Sequence, residues 1–517
     1  MTPATNRQRA SNGNDIIIIG AGVAGLAAGC YAQMNGYRTE IFELHDQPGG
    51  LCTAWQREGY TFDGCLYYLF GSGVGQPFHQ VWEELGVVQG REFVHHNEFL
   101  RIVEPKGKTL IVYSDPDRLE THLKALSPID SLLIEDFCDG IRAFTRFDMS
   151  LLYQKPRSLL RLRDWMQISR KLLPFVALLA TWGSISAEEF ANDFQDPFLR
   201  RAIRQMFSWS QIPVMVGMSL LAHAHNRNAG VPNGGSLEFA TAIAQRYLDL
   251  GGTIHYNAQV EKILVRNHQA IGIRLYNNDE YYSDRVIAAC DGRGVLFDLL
   301  RDYPVARSAQ QLYDGHLPVR SQLQVSLGVN RDFSQEPHWV TYLLDQPITI
   351  AGEAHSEISV KHYCFDPSLA PSGKSVLTVM LTTPYDYWQR IYGRPLYHHE
   401  ETQEASILID QLEQFYPGIQ SEIEHVDVAT PLTYERYTGN WQGSSCGWLL
   451  TKQTLPLLIK GIPKTIPGLH RFYRIGQWVE PGGGVPIVAM SGRLILQQIC
   501  HEDRKVFRTD LISRSNL

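Results

Sequence analysis

The chain has 517 residues, of which 44% are hydrophobic and 20% are charged, an ordinary composition for a folded globular protein. Its length exceeds that of one compact core and predicts about two or three domains. The formal net charge of −7 excludes an overall basic field that would gather phosphates, so we expect no nucleic-acid partner.

The cysteines and the apolar runs limit where the protein can work. The eight cysteines are scattered without a CxxC pair, which predicts neither a zinc site nor a disulfide framework and fits a reducing compartment. We expect no metal site. Residues 1–14 are polar and lack the apolar core of a secretory signal, and no run of about 18 apolar residues suits a membrane span. A cytoplasmic protein is predicted.

A strand, a glycine turn and a helix are predicted at the start of the chain. Residues 15–19 contain four consecutive isoleucines, as expected of a strand buried on both faces of a parallel sheet. Gly20 permits a tight turn, Gly22 lets the backbone approach a pyrophosphate, and Gly25 lets helix and strand pack closely. The turn is Gly20-Ala21-Gly22-Val23-Ala24-Gly25, and it leads into a predicted helix over 26–35.

A second strand, predicted over 39–42, ends at Glu43, where a carboxylate can accept hydrogen bonds from a ribose diol. The order of strand, glycines, helix, strand and acid predicts a dinucleotide site. The pair Gly49-Gly50 follows, a feature that an NAD-binding unit does not need, so the predicted cofactor is FAD. Leu51 stands where many FAD enzymes carry an arginine, which removes one charge-assisted phosphate contact.

Further segments resemble the phytoene desaturase family, which includes carotenoid desaturases, carotenoid isomerases and retinol saturases. The resemblance covers roughly residues 15–500, and the segments that carry it are 55–63, 232–237, 251–254, 260–263 and 474–486. It implies an α/β fold with a discontinuous, Rossmann-like FAD-binding domain of the glutathione-reductase type. An α+β substrate domain and a helical insertion complete the implied architecture.

The predicted domain boundaries follow from that resemblance. The FAD-binding domain is expected as three separate segments of the chain, 1–105, 216–300 and 466–517. A helical substrate region over 106–215 lies between the first and the second of these segments. A β-sheet substrate domain over 301–465 lies between the second and the third.

The resemblance also implies cofactor contacts far from the N-terminus. The backbone of Val260 is expected to hold the adenine. Near the end of the chain, a glycine cluster opens a helix predicted over 487–500, and its free N–H groups can stabilise the electron-rich edge of a reduced flavin. Gln477 stands where family members often carry an acid. The expected contacts from this segment are Gly476, Gln477, Gly483, Gly484 and Val485.

Two insertions supply the predicted substrate side. In the first, residues 157–182 combine basic residues, Trp165 and a short apolar run, which suits a helix lying on the headgroup region of a membrane. We therefore expect peripheral membrane contact. The second contains strands predicted over 321–329 and 375–382 and many aromatic residues, which suit a long apolar ligand. The predicted substrate contacts are Tyr67 and Tyr68 near the flavin ring and Trp441 and Trp448 at the rim.

The flavin is expected to carry the chemistry, because no pattern typical of a catalytic serine or cysteine stands out. The leading hypothesis is an FAD-dependent oxidoreductase that forms or saturates carbon–carbon double bonds of a long isoprenoid or carotenoid-like molecule. Three alternatives stay open: cis/trans isomerisation of a polyene without net redox, amine oxidation, and a non-catalytic flavin- or lipid-binding protein. The sequence names neither the proton carrier nor the oligomeric state.

Overall fold

A computed structural model describes residues 13–207, 209–315 and 317–510. Its strands are β1 (Asp15–Ile19), β2 (Arg38–Phe42), β3 (Ala54–Arg57), β4 (Tyr60–Asp63), β5 (Leu69–Phe70), β6 (Phe93–Val94), β7 (Glu98–Val103), β8 (Thr109–Tyr113), β9 (Ala229–Pro232), β10 (Thr253–His255), β11 (Val260–Arg266), β12 (Gln269–Leu275), β13 (Glu280–Tyr282), β14 (Arg285–Ala288), β15 (Gln322–Val329), β16 (Trp339–Ile350), β17 (Glu353–His362), β18 (Ser375–Thr382), β19 (Ile423–Ala429) and β20 (Phe472–Arg474).

The α-helices are α1 (Val23–Met34), α2 (His79–Glu84), α3 (Pro116–Leu126), α4 (Ser131–Phe144), α5 (Leu162–Leu172), α6 (Val176–Gly183), α7 (Ala187–Asn192), α8 (Pro197–Gln205), α9 (Val214–His225), α10 (Gly235–Asp249), α11 (Gly292–Gly294), α12 (Arg307–Gln310), α13 (Tyr385–Ile391), α14 (Leu396–Phe415), α15 (Pro431–Thr438), α16 (Leu455–Lys460) and α17 (Val485–Glu502).

Five parallel strands form one sheet, in the order β10-β2-β1-β14-β20. The central strand β1 is buried along four of its five residues, which explains its isoleucine run. Strands from the start, the middle and the end of the chain therefore lie side by side. The predicted discontinuous α/β architecture is confirmed.

Helices α1 and α17 pack against each other, although more than 400 positions separate them in the chain. Their contact is close at Gly492, where an added Cβ would lie 2.7 Å from the Ala24 carbonyl oxygen and from the Ala28 nitrogen. Both helices begin earlier than predicted. Gly22 and Gly484 occupy the N-cap positions in extended conformations, so the residue after each glycine is already helical.

The substrate sheet is mixed and has seven strands, in the order β19-β15-β18-β17-β16-β7-β8. The strands predicted over 321–329 and 375–382 are present as β15 and β18, and they pair antiparallel, with Leu323 opposite Leu381. The hairpin β7–β8 adds to this sheet through a parallel pairing of β7 with β16. The predicted domain boundary at 105/106 therefore falls in the turn of that hairpin.

A helical region, α3 to α9, has its own aromatic core, which includes Phe137 and Phe190. Helix α5 stands outside that core, because none of its residues is buried, whereas α6 contacts the core through Leu178, Leu179 and Trp182. Among the residues that the model describes, no helix combines the length and hydrophobicity needed to cross a bilayer.

Candidate functional site

A cavity of about 310 Å³ opens where β1, β2 and β14 end. Ligands of parallel α/β sheets bind at these carboxyl ends, because the loops there diverge around a crevice. The lining comes from the start, the middle and the end of the chain. It includes some of the residues within 19–24, 42–44, 49–52, 258–260, 289–299, 438–440 and 475–488, and further single residues between these segments.

The N-terminal glycine turn forms one wall of this cavity. Gly20 has a φ of 101°, and an added Cβ would lie 3.0 Å from the Ala289 carbonyl oxygen. A Cβ on Gly25 would overlap the carbonyl oxygen of Gly20, so Gly25 serves the packing of helix on strand and lies outside the lining. Gly22, Val23 and Ala24 line the cavity at the start of α1, whose free N–H groups favour a bound anion.

Glu43 lies at the end of β2, lines the cavity and is 6% exposed. Its carboxylate accepts hydrogen bonds from the backbone N–H of Ala21 at 2.5 Å and of His45 at 2.9 Å. Burial raises the pKa of Glu43, because a charged carboxylate is less stable away from water. The position suits a carboxylate that accepts hydrogen bonds from a ribose.

The glycine pair after Glu43 returns the backbone to the first turn. The Gly49 N–H donates to the Ala21 carbonyl oxygen at 2.9 Å, and Gly49 and Gly50 have φ values of 114° and 60°. Leu51 lines the cavity beside them with an apolar side chain. Val260, at the start of β11, contributes from the middle of the chain.

The C-terminal segment forms the other end of the lining. Gly476 has a φ of 92°, and its N–H donates to the Ser491 hydroxyl at 3.3 Å. The Gln477 amide donates to Asn440 Oδ1 at 2.9 Å, so this side chain is held by the protein. Gly483 and Val485 line the cavity, whereas Gly484 caps α17 outside the lining.

The four residues predicted to contact the substrate lie in different surroundings. Trp448 is fully buried, with its ring 5.0 Å from those of Tyr313 and Trp478, so it is a core residue and its predicted position at the rim is wrong. Trp441 packs on the same cluster, and its N–H donates to Asp291 at 3.0 Å. Tyr68 packs on Phe70 with a centroid distance of 5.5 Å.

Tyr67 lies next to a basic side chain that the sequence did not point to. The Lys361 ammonium group lies over the rings of Tyr67 and Trp339, 4.4 Å from the Trp339 centroid. Burial, and secondarily the charge of Arg320, hold the pKa of Lys361 well below its usual value. A periodicity argument could not find Lys361, because it is one of several charged residues on the alternating strand β17.

Asp291 and Asn440 were also missed, and both line the cavity. The Asp291 carboxylate accepts hydrogen bonds from the N–H groups of Gly294 at 2.6 Å and of Trp441 at 3.0 Å. Burial raises its pKa to about 6. A signal existed for Asp291, because it follows β14 at the carboxyl end of a predicted parallel strand.

A model of the family described as flavin containing amine oxidoreductase matches residues 23–494. The chain belongs to this family. Among its relatives, prolycopene isomerase from Daucus carota is 24% identical, with 94% of this chain and 80% of the relative covered. The lycopene-forming phytoene desaturase of Pseudescherichia vulneris is 25% identical, with 92% of this chain and 97% of the relative covered. These matches confirm the predicted resemblance.

The chain also shares its fold with solved structures. Wild-type putrescine oxidase bound to putrescine superposes with a TM-score of 0.60 at 13% identity, covering 94% of this chain and 99% of that chain. Because the family is flavin-containing, it implies FAD. The cavity fits such a dinucleotide at the N-terminal turn: an added Cβ on the lining residue Gly22 would meet only the Gly49 carbonyl oxygen, at 3.9 Å, so the backbone there faces space that a ligand can occupy.

Proposed function

We propose that this protein is an FAD-dependent oxidoreductase that acts on carbon–carbon bonds of a long apolar, isoprenoid or carotenoid-like molecule. The observation that carries the proposal is the single cavity that joins the N-terminal glycine turn and Glu43 to the C-terminal segment around Gly483. The similarity to a prolycopene isomerase and a phytoene desaturase supports the substrate class.

From the lining we propose a role for each end of the cofactor. The N-terminus of α1 would bind the diphosphate, Glu43 the ribose and the Val260 backbone the adenine. The N-terminus of α17, from Val485, would face the pyrimidine edge of the flavin. When bound, FAD supplies the hydride chemistry, and this chain supplies its orientation and its electrostatic surroundings.

The side chains around Tyr67 favour an uncharged substrate over an amine. Lys361 and Arg320 act on each other electrostatically there, and both are basic. A protonated amine would add a further positive charge, which costs more in an enclosed space than in water. This favours polyene chemistry over amine oxidation, the weaker alternative.

Expression in a polyene-producing host tests the proposal. We expect pigments whose mass differs from the parent by whole pairs of hydrogens, in either direction. Pigments of unchanged mass but altered retention time would support the alternative, a polyene cis/trans isomerase. Unchanged pigments alongside a flavin that no polyene, acyl chain or amine reoxidises or reduces would support the non-catalytic alternative.

We further propose that the protein binds the surface of a membrane through α5 and α6. Five apolar side chains on this segment are 49% to 76% exposed, namely Leu162, Trp165, Met166, Leu173 and Val176. Arg161, Arg163, Arg170 and Lys171 are exposed on the same segment. Such cations attract anionic lipid by about 1 kcal/mol each.

The C-terminal half of the chain extends this surface toward the cavity. Arg157 donates a hydrogen bond to the Leu458 carbonyl oxygen of α16 at 2.7 Å. Upstream of α16, Leu450 packs beside Gly482, since a Cβ added there would lie 3.5 Å from the Leu450 Cβ. Gly482 precedes the cavity residue Gly483, so packed residues connect the proposed membrane surface with the cavity lining.

A further inference from the structure

Two cysteines lie opposite each other at the open end of the β3–β4 hairpin. The register pairs Ala54 with Asp63, and beyond that pair the Gly64 N–H donates to the Thr53 carbonyl oxygen at 3.0 Å. One further step in this register places Cys52 opposite Cys65. Opposed residues of antiparallel strands have Cα atoms about 4.5–5.5 Å apart, which is within the range that a disulfide spans.

The side chains agree with this backbone register. The Cys52 thiol lies close enough to Cys65 for the two groups to interact, and both cysteines are free. Ser236 supports the pair from one side, because its carbonyl oxygen accepts from Cys52 Sγ at 3.5 Å and its hydroxyl accepts from the Leu66 N–H at 2.7 Å. Asp63 supports it from the other side, accepting from the Cys65 N–H at 2.9 Å.

Both cysteines line the proposed FAD cavity. Cys52 is 3% exposed, whereas Cys65 is half-buried and keeps an accessible side chain. Cys290 lines the same cavity from the end of β14, whereas Cys138 belongs to the core of the helical region. The pair therefore combines two properties: two thiols in contact and direct access to the cofactor.

We propose that Cys52 and Cys65 form a redox-active dithiol that exchanges two electrons with FAD bound in the cavity. The proposal rests on the proposed function only in requiring that FAD occupies this cavity. In the forward step both S–H bonds break and one S–S bond forms. The two electrons reduce the flavin, and the two protons pass to the reduced flavin and to solvent. The reverse step oxidises the flavin and restores two thiols.

The environment assigns different tasks to the two sulfurs. The neighbouring Cys65 thiol and burial hold the pKa of Cys52 well above its usual value, so Cys52 keeps its proton, which its Sγ directs to the Ser236 carbonyl oxygen. Cys65 is the more exposed of the two residues. Cys65 is then the sulfur that meets the flavin. Because the pair is enclosed, exchange with free thiols in solution is slow, and the flavin is the nearest electron partner.

Thiol mapping of the purified full chain, with and without FAD, tests whether the disulfide forms. After prolonged equilibration with oxidised glutathione and rapid alkylation, we expect a peptide in which Cys52 is linked to Cys65 and which disappears in reduced glutathione. Cys290 should stay alkylated throughout. Full alkylation of Cys52 and Cys65 under every condition would overturn the proposal.

Anaerobic reductive titration of the FAD-bound protein tests the electron exchange. The oxidised wild type should take up about four electrons per flavin, because the disulfide adds a two-electron couple. C65S should take up about two, and the control variant C138S, whose cysteine lies in the core of the helical region, about four. C52S provides a second test if C65S does not fold. A wild type that takes up about two electrons contradicts the dithiol.

The two proposals can fail separately. Uptake of about four electrons without conversion of any polyene would support the dithiol and contradict the proposed substrate. Conversion of polyenes together with uptake of about two electrons would support the proposed function and contradict the dithiol. The activity of C65S in the same polyene assay then shows whether electron exchange between the dithiol and the flavin contributes to turnover.

Discussion

At the scale of single residues, the candidate site depends on a few side chains whose chemistry no neighbour can replace. Glu43 is held by two backbone N–H groups, so its carboxylate is already positioned before a ligand arrives. Preorganised acceptors of this kind contribute more to binding than flexible ones, because little conformational entropy is lost. Glu43 should therefore contribute strongly to the affinity for FAD, even though its expected partner is the ribose and not the flavin ring.

Glu43→Ala should lower the affinity for FAD by about 10- to 100-fold, the loss expected when a hydrogen bond to a charged group is removed. Fluorescence quenching of FAD by the purified protein measures it. Asp46→Ala is the control, because Asp46 is exposed and lies outside the cavity lining. Equal affinities of the two variants would show that Glu43 does not contact the cofactor.

Asp291 predicts a pH dependence of FAD binding. Its pKa of about 6 means that the carboxylate becomes charged as the pH rises through that value. The charged form repels a diphosphate in the same cavity, so bound FAD favours the protonated acid. The affinity should therefore be highest below pH 6 and fall as the pH rises, by at most about tenfold per unit.

Calorimetric titration of wild type and Asp291→Asn between pH 5 and 8 measures that dependence, and the variant should show a flatter profile. Asp298→Asn removes another carboxylate from the lining and should leave the dependence in place. A wild-type affinity that does not change with pH, or that rises with it, contradicts a role for Asp291.

At the scale of elements, the contact of α1 with α17 holds the two ends of the site together. Each helix could be predicted from its glycine turn and its apolar residues. Their contact depends on Gly492, whose missing side chain allows the backbones to approach. No periodicity indicates which helix faces this glycine, because α17 is apolar on several sides.

Gly492→Leu should separate α1 from α17 and destabilise the protein by at least about 3 kcal/mol, because the added side chain meets backbone atoms that cannot yield. Chemical denaturation followed by tryptophan fluorescence measures the loss. His501→Leu, at an exposed position of the same helix, is the control and should change the unfolding free energy by less than about 0.5 kcal/mol.

The surface formed by α5 and α6 makes a second prediction for elements. The double variant Leu162→Glu/Leu173→Glu should reduce co-sedimentation with phosphatidylserine vesicles at least about tenfold, because two apolar side chains no longer enter the lipid. Leu132→Glu is matched in chemistry and exposure, at 80%, but lies on α4. Equal binding of the double variant and the control would place the membrane contact elsewhere.

At the scale of the whole molecule, the site is assembled from segments that are not neighbours in the chain. Bound FAD would contact the loops after β1 and β2, the start of β11 and the start of α17. A ligand that bridges several segments links their unfolding, because its binding energy is lost when any one of them opens.

FAD at about 100 times its dissociation constant should therefore raise the free energy of unfolding by about 2.7 kcal/mol. Hydrogen exchange should show protection of the peptides around residues 15–25 and 485–500 increasing together. Protection confined to the N-terminal peptide would mean that the C-terminal segment does not hold the cofactor. In an isolated α/β unit that binds a nucleotide at one turn, by comparison, only the peptides around that turn would gain protection.

The domain boundaries stay a prediction, but one of them divides a β-hairpin in the structure. The hairpin β7–β8 spans the boundary predicted at 105/106 and pairs with β16, so residues on both sides of that boundary belong to the substrate sheet. Strand pairing over such distances leaves no local signal, because β7 presents to β16 only backbone groups that every strand possesses.

The sequence alone was sufficient for the family and for the discontinuous α/β fold, and it placed the candidate cofactor residues. Gly20, Gly22, Glu43 and the segment around Gly483 carry local signals, because a turn of positive φ or a strand-end carboxylate depends on nearby chain only. Tertiary structure alone decided the rest: that Trp448 lies in the core, that Lys361 meets Tyr67, and that Cys52 faces Cys65 beside the cavity. Such contacts join residues through packing in three dimensions, and the spacing of residues along a chain does not encode them.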